Sequence, residues 1–188
     1  MQDKRYHILR TTEQLLRTHG LHGLSMSKIV QAAGVSTGTI YRYFRDKDDL
    51  IRAMHHESAE ELGEALKVGI DKGSYQEKIF TLVENLINYN RKYPERYVTK
   101  AALDLASRDV ADLHEELRGY FAEILDLIEK GREEGIFKQL PNDILIGLAL
   151  GPIEFNCRLN INSIYSFSET EMQCLKLACW DAIYTHPE

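Results

Sequence analysis

The sequence predicts an all-α chain, with a three-helix unit over residues 1–47 and a larger helical unit over residues 48–188. Three observations predict it. Apolar residues recur at three- and four-residue spacing along nearly the whole chain, the period of an amphipathic helix. No stretch alternates apolar and polar residues for more than a few positions, as a half-buried strand would. Gly20, Gly34, Gly135 and Pro141 divide the pattern into segments of helical length.

The first helix carries Ile8, Leu9, Thr12, Leu15, Leu16 and His19 on one face. Gly20 and Gly23 end it, since glycine accepts the left-handed cap conformation. A short helix follows from about Met26 to Ala33, then a turn at Gly34-Val35, then a second short helix from Thr37 to about Phe44. Asp46 reads as an N-cap with Asp49 three residues on, and the acidic first turn suits the helix dipole. From there to about Val68 no proline interrupts, which allows a helix of about 30 Å at ~1.5 Å per residue. Gly69, Gly73 and Ser74 mark its end.

Ile79, Leu82, Val83, Leu86, Ile87 and Asn90 form the stripe of the next helix. Pro94 opens another, carrying Tyr97, Ala101, Leu105 and Ala106. One long helix is expected from about Val110 to Glu134, with Leu113, Leu117, Phe121, Ile124, Leu125 and Ile128 inward and Gly135 as its stop. Pro141-Asn142-Asp143 opens a helix rich in Ile and Leu, and the last helix runs from about Ser168 to Tyr184.

Composition narrows the class. Hydrophobic residues make up 44% of the chain, enough for a core. No apolar run approaches the roughly 20 residues that span a bilayer. The start, Met1-Gln2-Asp3-Lys4-Arg5, has no secretory apolar stretch, so a cytoplasmic location without a membrane partner is expected. Cys157, Cys174 and Cys179 are odd in number and form no Cys-x-x-Cys pair, which argues against a disulfide scaffold or zinc ribbon. Buried free thiols are expected, with a redox switch as the other reading and Cys174 and Cys179 on different sides of their helix.

Net charge is −6, unevenly spread. Residues 1–55 hold nine Lys and Arg against five Asp and Glu; residues 56–188 hold fourteen against twenty-four. Five of the seven histidines lie within the first 56 residues. A basic front on an acidic rear suggests a small nucleic-acid module joined to a body that avoids nucleic acid.

The informative stretch runs from Ser25 to Phe44. A helix-turn-helix needs a small residue where its two helices touch, and Ala33 serves. It needs a turn residue free to take positive φ, and Gly34 serves. Val35, Ile40 and Phe44 hold the second helix down, the last two being four apart and so on one face. The outer face then holds Thr37, Gly38, Tyr41 and Arg42. Small residues at its start let the backbone approach DNA, and free N–H groups there suit phosphate. Arg42 can reach guanine N7 and O6, or contact phosphate alone. Tyr41 and Tyr43 can donate hydroxyls to phosphates. Ser25, Ser27 and Lys47 are candidate phosphate contacts, and Ser36 and Thr39 complete the candidate DNA-binding set.

These residues resemble the motif of the TetR-type (TetR/AcrR) repressors: Ser25, Ile29, Ala33-Gly34-Val35-Ser36, Gly38, Tyr41, Tyr43, Phe44 and Lys47, with Leu50 at the apolar position that follows. The match covers about a quarter of the chain. Two positions depart from it: Thr37 stands where many members have Lys, and Val30 where many have Ala. The resemblance implies an N-terminal helix-turn-helix DNA-binding domain and a C-terminal domain for ligand binding and dimerisation. It implies a homodimer on a palindromic double-stranded DNA operator, released when a small-molecule effector, of unknown identity, binds the rear. A DNA-binding regulator without such an inducer, controlled by a protein partner or by its abundance, is the alternative. No enzyme motif, cofactor or metal set is expected: Gly20 breaks the His19–His22 pair, and His55-His56 do not share a helical face.

In the rear, Tyr89, Tyr93 and Tyr97 recur every four residues, either as an aromatic wall to a ligand cavity or as ordinary packing. Phe121, Leu125 and Phe155 are expected in the core, lining a pocket if one exists. Asn156 and Arg158 either bind a polar ligand group or face solvent or a partner subunit. Gly147 and Gly151 permit close helix approach, and Pro152 should kink that helix. Together with the stripe Leu175, Ala178, Cys179, Ala182 and Ile183 of the last helix, they suggest a four-helix dimer interface, with packing inside one chain as the other reading.

Overall fold

A computed structural model of the chain describes residues 4–21, 23–93, 96, 115–161 and 168–186, except for the side chains of 157–161. The described helices are α1 (Lys4–His19), α2 (Met26–Ala33), α3 (Thr37–Tyr43), α4 (Lys47–Leu66), α5 (Tyr75–Lys92), α6 (Ala122–Glu133), α7 (Asn142–Ile161) and α8 (Glu169–Ile183). The helix expected after Pro94 lies outside the described residues. The protein divides into two compact units, one of Met1–Glu60 with Tyr93–Leu117, the other of Glu61–Lys92 with Arg118–Glu188.

In the first unit, Ile8, Leu9, Leu16, Leu24, Ile29, Ala33, Ile40, Phe44, Leu50 and Met54 are buried together. The face of α1 follows the expected stripe except at His19, which is exposed; Gly20 takes the expected left-handed conformation at φ +65°. Thr12, fully buried, donates its hydroxyl to the Ile8 carbonyl at 2.8 Å, which removes the cost of an unpaired polar group. The start of α4 is capped reciprocally. Asp46 Oδ1 accepts from the Asp49 N–H at 2.8 Å, and Asp49 Oδ2 accepts from the Arg45 N–H at 2.8 Å. The first of these bonds, with Arg45 beside it, holds the Asp46 carboxyl below the usual carboxylate range.

In the second unit, the stripe of α5 from Ile79 to Asn90 is buried as expected. Ile124, Leu127 and Ile128 of α6, Leu145, Ala149 and Ile153 of α7, and Cys179, Trp180 and Ile183 of α8 complete its core. Ser168 and Glu171 form a capping box at the start of α8. The segment after Gly135, itself at φ +72°, pairs with the end of α8 in one antiparallel bridge, Phe137 with Tyr184. Lys138 N–H donates to Ile183 O at 2.8 Å and Thr185 N–H to Ile136 O at 2.9 Å.

Three expectations are corrected. The long helix expected to reach Glu134 is interrupted: Arg118–Phe121 is a 3-10 turn, and α6 starts only at Ala122. The backbone there approaches α4 so closely that a Cβ on Gly63 would collide with the Tyr120 carbonyl. Phe155 is not a core residue but 51% exposed. Cys174 is exposed, and only Cys179 of the two described thiols is buried.

Candidate nucleic-acid interface

The turn between α2 and α3 is built from local chemistry. Ser25, in extended conformation, caps α2 by accepting the Lys28 N–H. Gly34 closes α2 at φ +62°, ψ +31°, a left-handed geometry that costs an L-residue about 1–2 kcal/mol. Its N–H donates to Gln31 O, and the Val35 N–H to Val30 O. This is the Schellman pattern, with half-buried Val30 and Val35 packed on the same core. Ser36 then caps α3, its Oγ accepting the Thr39 N–H at 3.1 Å and lying 2.8 Å from Thr39 Oγ1.

Ile40 is fully buried and Phe44 is 2% exposed, so the inner face of α3 is fixed. Arg5 covers the Phe44 ring, its Cζ 5.6 Å from the centroid. The outer face is open. Thr37, Gly38 and Arg42 are exposed, and Tyr41 is 52% exposed. Arg42 rests on its neighbour: Nη2 donates to the Tyr43 hydroxyl at 3.1 Å and Cζ lies 5.1 Å from that ring's centroid. The guanidinium keeps its remaining N–H donors.

The other candidates sit around this face. Ser27 is exposed, with its Oγ 3.1 Å from that of half-buried Ser25. Ser36 is exposed, Thr39 and Tyr43 half-buried, and Lys47 is the half-buried first residue of α4. Sequence reasoning passed over Arg45, whose side chain is 84% exposed and donates to Asp46 Oδ2 at 3.2 Å. An Arg directly after Phe44 was the available signal. It was masked by the acidic run behind it.

The rear candidates are less uniform. Tyr89 is buried, Phe121 and Leu125 are half-buried, and Phe155 is exposed, all in the second unit. Half-buried Tyr93 belongs to the first unit. Asn156 is half-buried and donates Nδ2 to Pro152 O at 2.7 Å within its own helix. Tyr97 and the Arg158 side chain lie outside the described residues. No group of three or more His, Cys, Asp or Glu among the described residues is placed to hold a metal ion.

Residues 8–54 match the family model of bacterial regulatory proteins of the tetR family, and residues 75–184 match a tetracyclin repressor-like C-terminal domain. The chain belongs to the TetR family. It is a DNA-binding transcriptional regulator. The HTH-type transcriptional repressor NemR of Escherichia coli K12 is 31% identical over 144 residues, 70% of each chain. A TetR-family regulator from Vibrio parahaemolyticus superposes with a TM-score of 0.84 at 33% identity, over 98% of this chain and all of the other. FadR of Bacillus subtilis, solved with stearoyl-CoA, shares the TetR fold at a TM-score of 0.77 and 21% identity, over 95% of this chain and 99% of its own.

Proposed function

We propose that the protein is a cytoplasmic homodimeric repressor that binds a palindromic operator through the outer face of α3 and leaves it when a small molecule occupies the C-terminal domain. One observation carries the reading: Thr37, Gly38, Tyr41 and Arg42 stand exposed on a short helix whose other side is sealed by Ile40 and Phe44. Such a face fits the major groove, and Arg42 supplies the donors that guanine O6 and N7 accept. The name of the NemR relative supports repression, and the stearoyl-CoA bound to FadR supports a small-molecule effector. Two-fold symmetry places the recognition helices on half-sites about 34–36 Å apart or a multiple of it, so a shift of a few ångströms suffices for release.

Selection of duplexes from a random library by the full-length protein, followed by footprinting, tests this. A palindromic site is expected, with affinity that falls steeply with salt. Arg42→Ala should weaken binding about tenfold or more and relax the preference at one base pair per half-site. Unchanged affinity and preference in that variant would remove α3 as the reading element.

A further inference from the structure

Four charged side chains meet inside the first unit. Arg10 and Glu13 stand on α1, Glu57 on α4, and Arg96 shortly after the end of α5. Glu13 and Arg96 are each 5% exposed. Glu13 is shared between two cations: Oε2 accepts from Arg10 Nη1 at 2.6 Å, and Oε1 lies 3.6 Å from Arg96 Nε. Arg10 Nη2 lies 3.8 Å from Glu57 Oε1. Rings cover both guanidinium groups, Tyr93 at 4.2 Å from Arg96 Cζ and Tyr6 at 4.8 Å from Arg10 Cζ.

Burying such charge gains little over apolar packing of the same volume. What it supplies is a geometry that fails when one member leaves, because the others are stranded in a low dielectric. The source of Arg96 gives this a purpose. Arg96, Glu116 and Leu117 lie in sequence between α5 and α6 of the second unit, yet they group with the helix-turn-helix. Glu116 is held by partly exposed partners: it accepts a hydrogen bond from Arg52 and lies 3.2 Å from His56 Nε2.

We infer that Arg10, Glu13, Glu57 and Arg96 form a charge clamp that fixes α1 to the residues following α5, so that operator affinity is set from outside the helix-turn-helix. The clamp acts through α1. Ile8 and Leu9 share a core with Ile40 and Phe44, and His7 Nε2 lies 3.0 Å from the Ala33 carbonyl at the end of α2. Withdrawal of Arg96 leaves Glu13 and Arg10 unbalanced, loosens α1, and lowers the fit of α3. Arg96 is therefore a positioning residue. The inference rests on the DNA-binding reading above.

The test uses the full-length chain with Arg96→Met, Glu13→Gln, the double variant, and Arg96→Lys, which keeps the charge without the planar fork. Affinity is measured for the duplex selected from the random library, and amide exchange is followed without DNA. Each of the first two substitutions is expected to weaken binding at least tenfold and to speed exchange in α1 to α3, leaving α6 to α8 as in the parent. The double variant should bind no worse than the weaker single, and Arg96→Lys should fall between parent and Arg96→Met. If the Met variant does not fold, the Lys and Gln variants decide by the same two readouts. Additive losses in the double variant overturn the clamp, as does parental exchange in α1 for every variant. Failure to select any duplex sinks the repressor reading, and exchange then still decides the clamp.

Discussion

The ring of Phe137 occupies the space where a side chain at position 131 would begin. Gly131 lies within α6, and a Cβ there would collide with the edge of that ring. The ring has nowhere to go. It is fully buried, edge-on to Tyr75 at 5.4 Å and to Trp180 at 6.0 Å, and its backbone is bridged to Tyr184. In an open helix, alanine in place of glycine would gain about 1 kcal/mol. Here the overpacking cost, about 1–3 kcal/mol, outweighs that gain. Gly131→Ala should therefore lower the urea-unfolding free energy by up to about 2 kcal/mol. A more stable variant would show that the ring yields.

Gly34 and Gly38 should respond oppositely to the same substitution. Neither has a neighbour that a Cβ would strike. Gly34, however, sits at φ +62°, so Gly34→Ala should cost about 1–2 kcal/mol in stability and loosen the turn. Gly38 lies in α3 without positive φ, so Gly38→Ala should leave stability unchanged or raise it by up to about 1 kcal/mol. Its new methyl would nonetheless stand on the face offered to DNA. Thermal unfolding beside DNA titration separates the two effects. A Gly38→Ala variant that binds like the parent would mean that the start of α3 stays clear of the groove.

What was legible in the sequence was what local chemistry decides. Ser25, Gly34 and Ser36 set the ends of α2 and α3 through their own backbone bonds, and both helices lie where their residues predict. The stripe of α5 is local in the same sense. Distant packing decides the rest. Gly119 and Tyr120 leave the α-helical path where the backbone meets Gly63, a contact that no window of sequence contains. Phe155 lies in an apolar helix, and periodicity does not separate a core-facing side from one facing outward. Nothing local in the sequence marks Glu13 and Arg96 as partners, because burial of either requires the other, and they are far apart in the chain.

The two described thiols should differ in reactivity. Cys174 is exposed, whereas Cys179 is fully buried and desolvation pushes its thiol up to about 11. Near pH 8 almost none of Cys179 is thiolate, and reagent has no path to it. In a Cys157→Ser background, maleimide should label one thiol quickly in the folded chain and the second only after denaturant is added. Rapid labelling of both at pH 8 would show that the α8 face opens in solution.

Along α7, Ile144, Leu148 and Phe155 are 49%, 38% and 51% exposed, and Leu177 of α8 is 47% exposed. Ile144, Leu148 and Phe155 follow helical spacing, so they share one face of α7. Gly147 and Gly151 lie between them with open space where a Cβ would stand. An apolar face with small residues permits close approach by the same helices of a second copy, on the order of 800 Å² per partner for a stable pair. Leu148→Glu and Phe155→Glu should each convert a dimer to monomer in sedimentation at micromolar concentration. Both side chains are outward, so helical content and unfolding midpoint of the monomer should stay near the parent's. Operator affinity should fall with dimer loss, because each half-site is then bound alone. A dimer that survives both substitutions would move the interface away from this face, and with it the spacing expected between the two α3 helices.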